Sequence, residues 1–393
     1  MNNVKKKQLT IENIKSYRLK KSFLSESSAG ENINEVINRL IAIDSNDIKH
    51  SYLVFYNRLK YFSKTVFDDA LYQSDILGRF KAMRTNYFII PIGLSEIVFS
   101  ATYNQRDQVV NQVMNNYKLR EKDVTLTSRI IIKELESGDK SKNQLSKKIP
   151  KDSLRKIESK IGQAAIRSSQ FEQTLNILLE RWQIIPGKEK WDTMGKKFCL
   201  FEELHKKQSF SMDPNAGENN LILKYISGYG PVLIEDIAWW CGIPVSHVEK
   251  TLKNNIEKIA EVSADDFRGK YYIMKDDLRY LYGADKLFHD SLFLLGKNDP
   301  FIVGYKEHNY ILTEKLRGEV VNIYNESEPV VLLNGEVAGK WSFEEKKNTI
   351  NISICLFKKI KEKTEDRICR EIDRLSDFIG DESKETTVDI TYQ

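Results

Sequence analysis

The segment from Asn219 to Met274 decides the fold: NNLILKYISGYGPVLIEDIAWWCGIPVSHVEKTLKNNIEKIAEVSADDFRGKYYIM. Apolar side chains recur at helical spacing from Leu221 to Ser227 and again from Leu233 to Trp240. Gly228 and Gly242 follow these two runs, where glycine commonly ends a helix. The segment therefore begins with two short helices separated by a tight turn.

A third helix and a strand pair complete this segment. Pro244 and Ser246 are typical of a helix N-terminus, and the turn that precedes them is typical of a helix-turn-helix. The runs Ile259 to Val262 and Tyr271 to Met274 are rich in β-branched and aromatic residues, which indicates two strands. Three helices followed by a strand pair predict a winged-helix unit.

The same order of elements is predicted twice upstream. In residues 1–120, Thr10 is an N-cap candidate for a first helix, and further helices are predicted from Ile33 to Ile43 and from Tyr52 to Phe62. A break at Gly78 precedes a strand from Tyr87 to Ile90. Residues 121–210 contain a helix, a short helix at 143–148, a longer helix at 171–181 and a strand pair around 186–187. We interpret both segments as winged-helix units.

The C-terminal residues change to a β pattern. Asn334-Gly335 lies between two β-branched runs and is a strong hairpin signal. We expect a small β-barrel or sandwich, then a charged amphipathic helix from Lys358 to Phe378 and a flexible tail. The predicted fold is α+β and mainly α, with three winged-helix units at 1–120, 121–210 and 211–288 and a β-rich domain at 289–393.

Composition narrows the classes of function. The 393-residue chain carries a net charge of +5, a mild basic bias that suits a polyanionic partner. It has four cysteines without a C-x-x-C pair and no Gly-rich phosphate loop, so we expect no metal and no nucleotide cofactor. The N-terminal basic run is not followed by an apolar stretch, and no window approaches the roughly 18 apolar residues of a membrane span. We expect a cytoplasmic protein that does not enter a membrane.

Four groups of residues carry a resemblance to a known family. They are Arg58, Ala70-Leu71, Met83-Arg84-Thr85 and Pro91; Tyr229-Gly230-Pro231 and Asp236-Ile237-Ala238-Trp239; Asp299-Pro300-Phe301 and Gly304-Tyr305; and Pro329 to Leu332, Asn334-Gly335, Gly339 and Trp341. In this order and spacing they make the chain similar to the winged-helix alkylpurine DNA glycosylases, which are associated with resistance to DNA-crosslinking agents such as azinomycin. The resemblance implies a C-shaped, basic concave surface that binds damaged DNA.

The resemblance also implies where catalysis would take place. The family places a Gln-x-Gln or Gln-x-Asp motif before the helix that ends at Arg58, and both glutamines are absent here. Counted back from Arg58 without gaps, the motif falls on Asp44-Ser45-Asn46. With a two-residue gap relative to the Gln-x-Asp branch of the family, it falls on Ala42-Ile43-Asp44. Asp44 would act as the base for the attacking water and Asn46 would orient that water. The alternative is that this polar cluster is a helix-capping loop without catalysis.

The remaining candidates are basic residues for DNA binding. The resemblance implies that Arg58 and Arg84 bind DNA, although Arg84 could instead form an ion pair within its own domain. The family continues Met-Arg with Gly-Thr-Leu-His, whereas this chain reads Thr85-Asn86-Tyr87-Phe88. Lysines in the predicted helix-turn-helix and wing of the second unit would meet phosphates, or else form a solvated face. They are Lys142, Lys147, Lys148, Lys188 and Lys190.

Three hypotheses of function follow. The first is a monomeric, monofunctional DNA glycosylase that excises bulky alkylpurine or crosslink adducts from damaged double-stranded DNA. The second is a non-catalytic DNA-binding regulator or accessory factor that has lost the glutamine motif. The third is a scaffold whose winged helices bind other proteins, which would show little salt-dependent DNA binding.

Overall fold

The structure, a computed structural model, describes residues 9–25, 28–161, 164–192, 196–206, 208–264, 267–284, 291–308, 310–380 and 384–393, so the basic run at 1–8 lies outside it. The helices are α1 (Ile11–Lys21), α2 (Ile33–Leu40), α3 (Ile48–Tyr56), α4 (Lys64–Tyr72), α5 (Ser95–Ala101), α6 (Tyr103–Asn116), α7 (Glu121–Leu135), α8 (Lys142–Ser146), α9 (Lys151–Leu154), α10 (Gln170–Glu180), α11 (Phe201–Leu204), α12 (Pro214–Tyr229), α13 (Ile234–Cys241), α14 (Val245–Asn254), α15 (Leu278–Tyr282), α16 (Pro300–Val303), α17 (Glu314–Val320) and α18 (Glu362–Ile379). None of these helices is both long and apolar enough to cross a membrane.

The strands form small, separate sheets. They are β1 (Ile43–Asp44), β2 (Leu77–Lys81), β3 (Tyr87–Pro91), β4 (Lys140–Ser141), β5 (Lys156–Ile161), β6 (Ala164–Ser169), β7 (Ile184–Pro186), β8 (Lys197–Leu200), β9 (Ile259–Ala264), β10 (Phe267–Met274), β11 (Leu292–Leu295), β12 (Val330–Leu333), β13 (Glu336–Glu345), β14 (Thr349–Leu356) and β15 (Glu385–Tyr392). The sheet orders are β1-β3-β2, β4-β8-β7, β5-β6, β9-β10 and β11-β12-β13-β14-β15. The expected mixture of helices and strands is confirmed.

Two compact units contain these elements. The first groups the described residues within Met1–Ile43, His50–Ser63 and Ile222–Gln393, and the second those within Asp44–Lys49 and Lys64–Leu221. Both units are discontinuous in sequence, since residues 44–49 and 64–221 interrupt the first unit. The division into four domains stays a prediction.

Local capping chemistry sets several helix ends where the sequence predicts them. The Thr10 hydroxyl accepts from the Asn13 amide and opens α1, and the Asn32 side chain accepts from the Glu35 amide and opens α2. Gly242 adopts a left-handed conformation, with φ 66° and ψ 31°, and ends α13. The prediction for α2 was too long, because α2 ends at Leu40 and the chain turns at Ile41, where φ is 67°.

Gly78 does not break the chain as predicted but lies within β2. A side chain at this position would come within 2.2 Å of the Phe80 ring and 2.7 Å of the Ile92 side chain. The Phe80 ring in turn stacks on Trp182 with ring centroids 4.2 Å apart. Glycine is therefore present at position 78 for packing, not for a turn.

The C-terminal sheet differs from the expected barrel or sandwich. Among the described residues it is one open sheet in which β11 and β15 are the edge strands. Asn334 and Gly335 have φ values of 52° and 77°, as the predicted hairpin turn requires. The tail expected to be flexible instead forms β15, which pairs in parallel with β14. Helix α18, which lies between these two strands in sequence, buries Ile368, Ile372, Leu375 and Ile379.

A buried ion pair joins distant segments of the first unit. Arg58 and Asp299 are both fully buried, and the Arg58 Nη2 atom lies 2.6 Å from the Asp299 Oδ1 atom. The Arg58 Nη1 atom donates to Asp299 Oδ2 at 2.8 Å and to the Val54 carbonyl at 3.0 Å. Asp299 also accepts from the Phe301 amide and thereby caps α16. The pair links the chain two residues beyond α3 to the start of α16 across 241 positions of sequence.

We predict that Arg58→Met lowers the free energy of unfolding by about 3–5 kcal/mol, because it leaves the Asp299 carboxylate buried without its counter-charge. Urea unfolding of the variant and the wild type measures the difference. Lys60→Met is the matched control, since it removes the exposed ion pair between Lys60 and Glu31 and should leave stability unchanged within error. Equal effects of the two substitutions would contradict the structural role of Arg58.

Candidate active site and nucleic-acid interface

The candidate motif Asp44-Ser45-Asn46 lies beside the hairpin formed by β2 and β3. The Ser45 amide donates to the Tyr87 carbonyl at 2.9 Å. Ser45 is fully buried, while Asp44 is half-buried and Asn46 is exposed. The two polar side chains that flank Ser45 therefore reach solvent from a backbone that is fixed at its middle residue.

Asp44 and Asn46 contact each other directly. The Asn46 backbone N–H donates to Asp44 Oδ1 at 3.2 Å, and the Asn46 side-chain Nδ2 atom donates to Asp44 Oδ2 at 2.9 Å. A carboxylate offers about four acceptor sites, so these bonds leave the carboxylate capacity to accept a proton from water. The first bond is also that of an ordinary Asx turn, which is the non-catalytic alternative.

In the alternative register, Ala42-Ile43-Asp44, the other two residues of the motif are apolar. Ala42 and Ile43 are apolar, with exposures of 3% and 0%. A water-holding pair needs two polar side chains, and of the two registers only Asp44-Ser45-Asn46 supplies them.

The hairpin tip next to the motif carries Arg84. Arg84 and Thr85 both adopt positive φ, at 53° and 60°, and the Asn86 amide donates to the Met83 carbonyl at 3.3 Å. Two central residues with positive φ make a type I′ turn, which favours Asn and Gly. The Arg84 amide donates to the Gln105 side chain at 3.1 Å, and the Arg84 side chain is half-buried.

Arg58 is not available to DNA. Arg58 was predicted to bind DNA, but its guanidinium is fully buried and both of its terminal nitrogens bind Asp299. A phosphate cannot reach this group without breaking the buried pair. We therefore assign Arg58 a structural role.

The candidate lysines are exposed, and two of them form ion pairs. Lys147, Lys148 and Lys188 are exposed on the second unit. The Lys142 Nζ atom contacts Glu172, and the Lys190 Nζ atom lies 3.3 Å from Asp68.

Glu172 keeps its charge in spite of partial burial. Burial opposes its ionisation, but hydrogen bonds from Lys142 and Lys156 and from the Ser169 amide outweigh burial and hold the pKa of Glu172 well below its usual range. Lys142 is therefore paired with a charged carboxylate within the protein.

The β5-β6 hairpin and its positive charge were not predicted from the sequence. Residues 140–167 contain nine Lys and Arg residues and two carboxylates. Arg155, Lys156 and Arg167 in this segment are exposed. The density of positive charge was the signal that could have found this surface, since a basic cluster attracts phosphates.

A buried arginine near the motif was also missed. Arg79 on β2 donates to the Ser45 carbonyl at 2.6 Å and to Glu189 at 2.5 Å. No local pattern marks this residue, because both partners are distant in sequence.

Among the described residues, no group of three His, Cys, Asp or Glu side chains is placed to hold a metal ion.

Comparisons with known proteins identify relatives of this chain. The sequence model of the family described as "DNA glycosylase AlkZ-like" matches residues 37–378. The solved structure of the DNA glycosylase AlkZ from Streptomyces sahachiroi is similar, with a TM-score of 0.75 and 15% sequence identity over 97% of this chain and 100% of that one. At this identity the structural likeness concerns the fold. No curated protein matches the chain.

We predict that Thr85→Gly raises the free energy of unfolding by about 1 kcal/mol, because glycine removes the cost of holding a β-branched residue at positive φ. Chemical denaturation measures the change. Thr125→Gly on the exposed face of α7 is the matched control and should lower stability, since glycine weakens a helix. A destabilised Thr85→Gly variant would show that the turn is not strained.

Proposed function

Because the chain belongs to the family of AlkZ-like DNA glycosylases, we propose that it hydrolyses the N-glycosidic bond of bulky alkylpurines, including crosslink adducts, in damaged double-stranded DNA. The observation that carries this proposal is the paired Asp44 and Asn46. Their side chains flank a buried residue and reach solvent beside the β2-β3 hairpin. One hydrogen bond joins the two side chains, and the Asn46 backbone amide donates a second to Asp44. This arrangement suits the capture of one water molecule.

The proposed reaction is a simple displacement by water. Asp44 accepts a proton as the water oxygen bonds to the anomeric carbon, and the bond from that carbon to the purine nitrogen breaks. The bonding electrons leave with the base. An N7-alkylated purine already carries a positive charge, so it departs neutral without needing an acid. The Asp44 carboxylate also stabilises the positive charge that develops on the sugar, and Asn46 orients the water.

The basic residues of the second unit support DNA as the substrate. We propose that Lys147, Lys148, Lys188 and Lys190 contact phosphates, and that Arg84 contacts a phosphate or the lesion from the hairpin tip. Lys142 would join them on release from Glu172. Contacts of this kind depend strongly on salt because they release counterions from DNA.

We further propose that two groups of elements are winged-helix units. They are α12, α13 and α14 with the β9-β10 hairpin, and α7, α8 and α10 with β7 and β8. In both groups, helices precede a strand pair, which is the order of that motif. We propose a monomer that acts in the cytoplasm without a metal or nucleotide cofactor.

A second candidate function is a DNA-binding protein without catalytic activity. The observation that favours it is the Asx turn itself, because the bond from the Asn46 amide to Asp44 explains the motif without any reaction. Loss of both glutamines of the family motif agrees with this candidate. The two candidates share DNA binding and differ in base release.

We predict that the wild type releases N7-alkylguanine from alkylated duplex DNA and that Asp44→Ala lowers the single-turnover rate by at least about 100-fold, because the general base is lost. Chromatography of the released base measures the rate. Asp47→Ala is the matched control, because Asp47 is an exposed carboxylate three residues away, outside both registers of the motif, whose Oδ1 accepts a local bond from the Lys49 amide.

DNA-binding titrations at two salt concentrations separate the candidates. Binding that weakens with salt but gives no release from the wild type would replace the glycosylase with the non-catalytic candidate. Release that survives Asp44→Ala would remove Asp44 from the mechanism.

A further inference from the structure

A guanidinium holds the middle residue of the candidate motif. Arg79 on β2 is 5% exposed, and its Nη2 atom donates to the Ser45 carbonyl at 2.6 Å. The Ser45 amide is bound at the same time by the Tyr87 carbonyl. We propose that Arg79 is a positioning residue that sets the direction of the Asp44 and Asn46 side chains, and this inference rests on the proposed glycosylase function.

The second arm of Arg79 binds Glu189. The Nη1 atom lies 2.5 Å from Glu189 Oε2, and the Glu189 side chain is 17% exposed. The planar fork of arginine presents two donors at a fixed angle, which lysine cannot reproduce. Arg79 therefore joins the backbone of the motif to the segment between β7 and β8 with defined geometry.

Glu189 is itself held by its backbone. The Tyr72 hydroxyl donates to the Glu189 carbonyl at 2.6 Å and accepts from the Glu189 amide at 3.0 Å. Burial raises the pKa of Tyr72 to about 12, so this hydroxyl stays protonated at neutral pH and remains a donor. The carboxylate that neutralises Arg79 thus has a fixed position.

Trp191 adds a second attachment of the same segment. Trp191 is 3% exposed, and the centroid of its ring lies 5.0 Å from the Lys49 Nζ atom and 4.6 Å from the Lys64 Nζ atom. Lys49 comes three residues after Asn46. The segment around Glu189 therefore contacts the chain at Ser45, through Arg79, and just beyond the motif.

These attachments connect two proposed roles in one piece of chain. Lys188 and Lys190, which we propose to contact phosphates, flank Glu189 directly. Because Tyr72 and the contacts of Trp191 still hold the segment around Glu189 without Arg79, we expect loss of Arg79 to leave these lysines in place and to free the motif backbone. The expected effect is therefore on the rate of base release, with little effect on DNA affinity.

The experiment compares Arg79→Gln with Arg79→Lys and with a matched control. Arg106→Gln is the control, because Arg106 is also a buried arginine of the second unit that binds backbone carbonyls, those of Phe99 and Glu180, but does not contact the motif. All variants are assayed at a temperature at which circular dichroism shows them folded.

We expect Arg79→Gln to lower the single-turnover release of N7-methylguanine from methylated duplex DNA at least tenfold, with the Kd for DNA within twofold of wild type. The release rate of Arg79→Lys should lie between those of Arg79→Gln and the wild type, and the rate of Arg106→Gln should match the wild type. Equal rates in Arg79→Gln and wild type would overturn the inference, as would an equal loss in Arg106→Gln. If Arg79→Gln does not fold, the decision falls to Arg79→Lys, for which an unchanged rate overturns the inference.

Amide hydrogen exchange keeps the inference separate from the proposed function. We expect faster exchange in the peptide 43–50 of folded Arg79→Gln, or of Arg79→Lys if the former does not fold, and unchanged exchange of that peptide in Arg106→Gln. If the wild type releases no base, the proposed function fails and exchange alone decides on Arg79. Unchanged exchange at 43–50 would then overturn the positioning role.

Discussion

The candidate site depends on two hydrogen bonds to one buried residue. The Ser45 amide binds the Tyr87 carbonyl, and the Ser45 carbonyl binds Arg79. A buried backbone group without a partner is costly, so these bonds are a condition of burying Ser45 at all. With Ser45 held on both sides, its neighbours on either side are free to present their side chains to solvent.

The proposed motif differs in chemistry from the motif of the family. Where the family has two glutamines, or a glutamine and an aspartate, the proposed register places a carboxylate first and an amide second. The Asp44 carboxylate is a stronger base than an amide and carries the charge that an oxocarbenium-like transition state would meet. The direct contact between Asp44 and Asn46 fixes the pair before any substrate arrives.

Buried charge is used in two different ways in the two units. In the first unit, Arg58 and Asp299 are fully enclosed and form an ion pair with each other, which links the chain just beyond α3 to α16. In the second unit, Arg79 shares its donors between a carbonyl and a carboxylate, so that its charge is balanced while its geometry holds a loop. Both arginines are buried, and the role of each depends on the groups that its guanidinium binds.

The sequence by itself determined what depends on near neighbours. The cap at Thr10, the helix end at Gly242 and the turn at Asn334-Gly335 follow from chemistry within four residues, and each was predicted correctly. Asp44 was found because the resemblance aligned it with a known motif, and its role stays a prediction.

Only the tertiary structure decided what depends on distant partners. The burial of Arg58, the packing of Gly78 under Phe80, the pairing of the tail with β14 and the contact of Arg79 with Ser45 join residues that no local pattern connects. The sequence alone does not distinguish an arginine that contacts a phosphate from one that binds a buried carboxylate. Which of the two it meets is set by the packing of segments far apart in the chain, because burying a charge is tolerable only where a partner is placed to neutralise it.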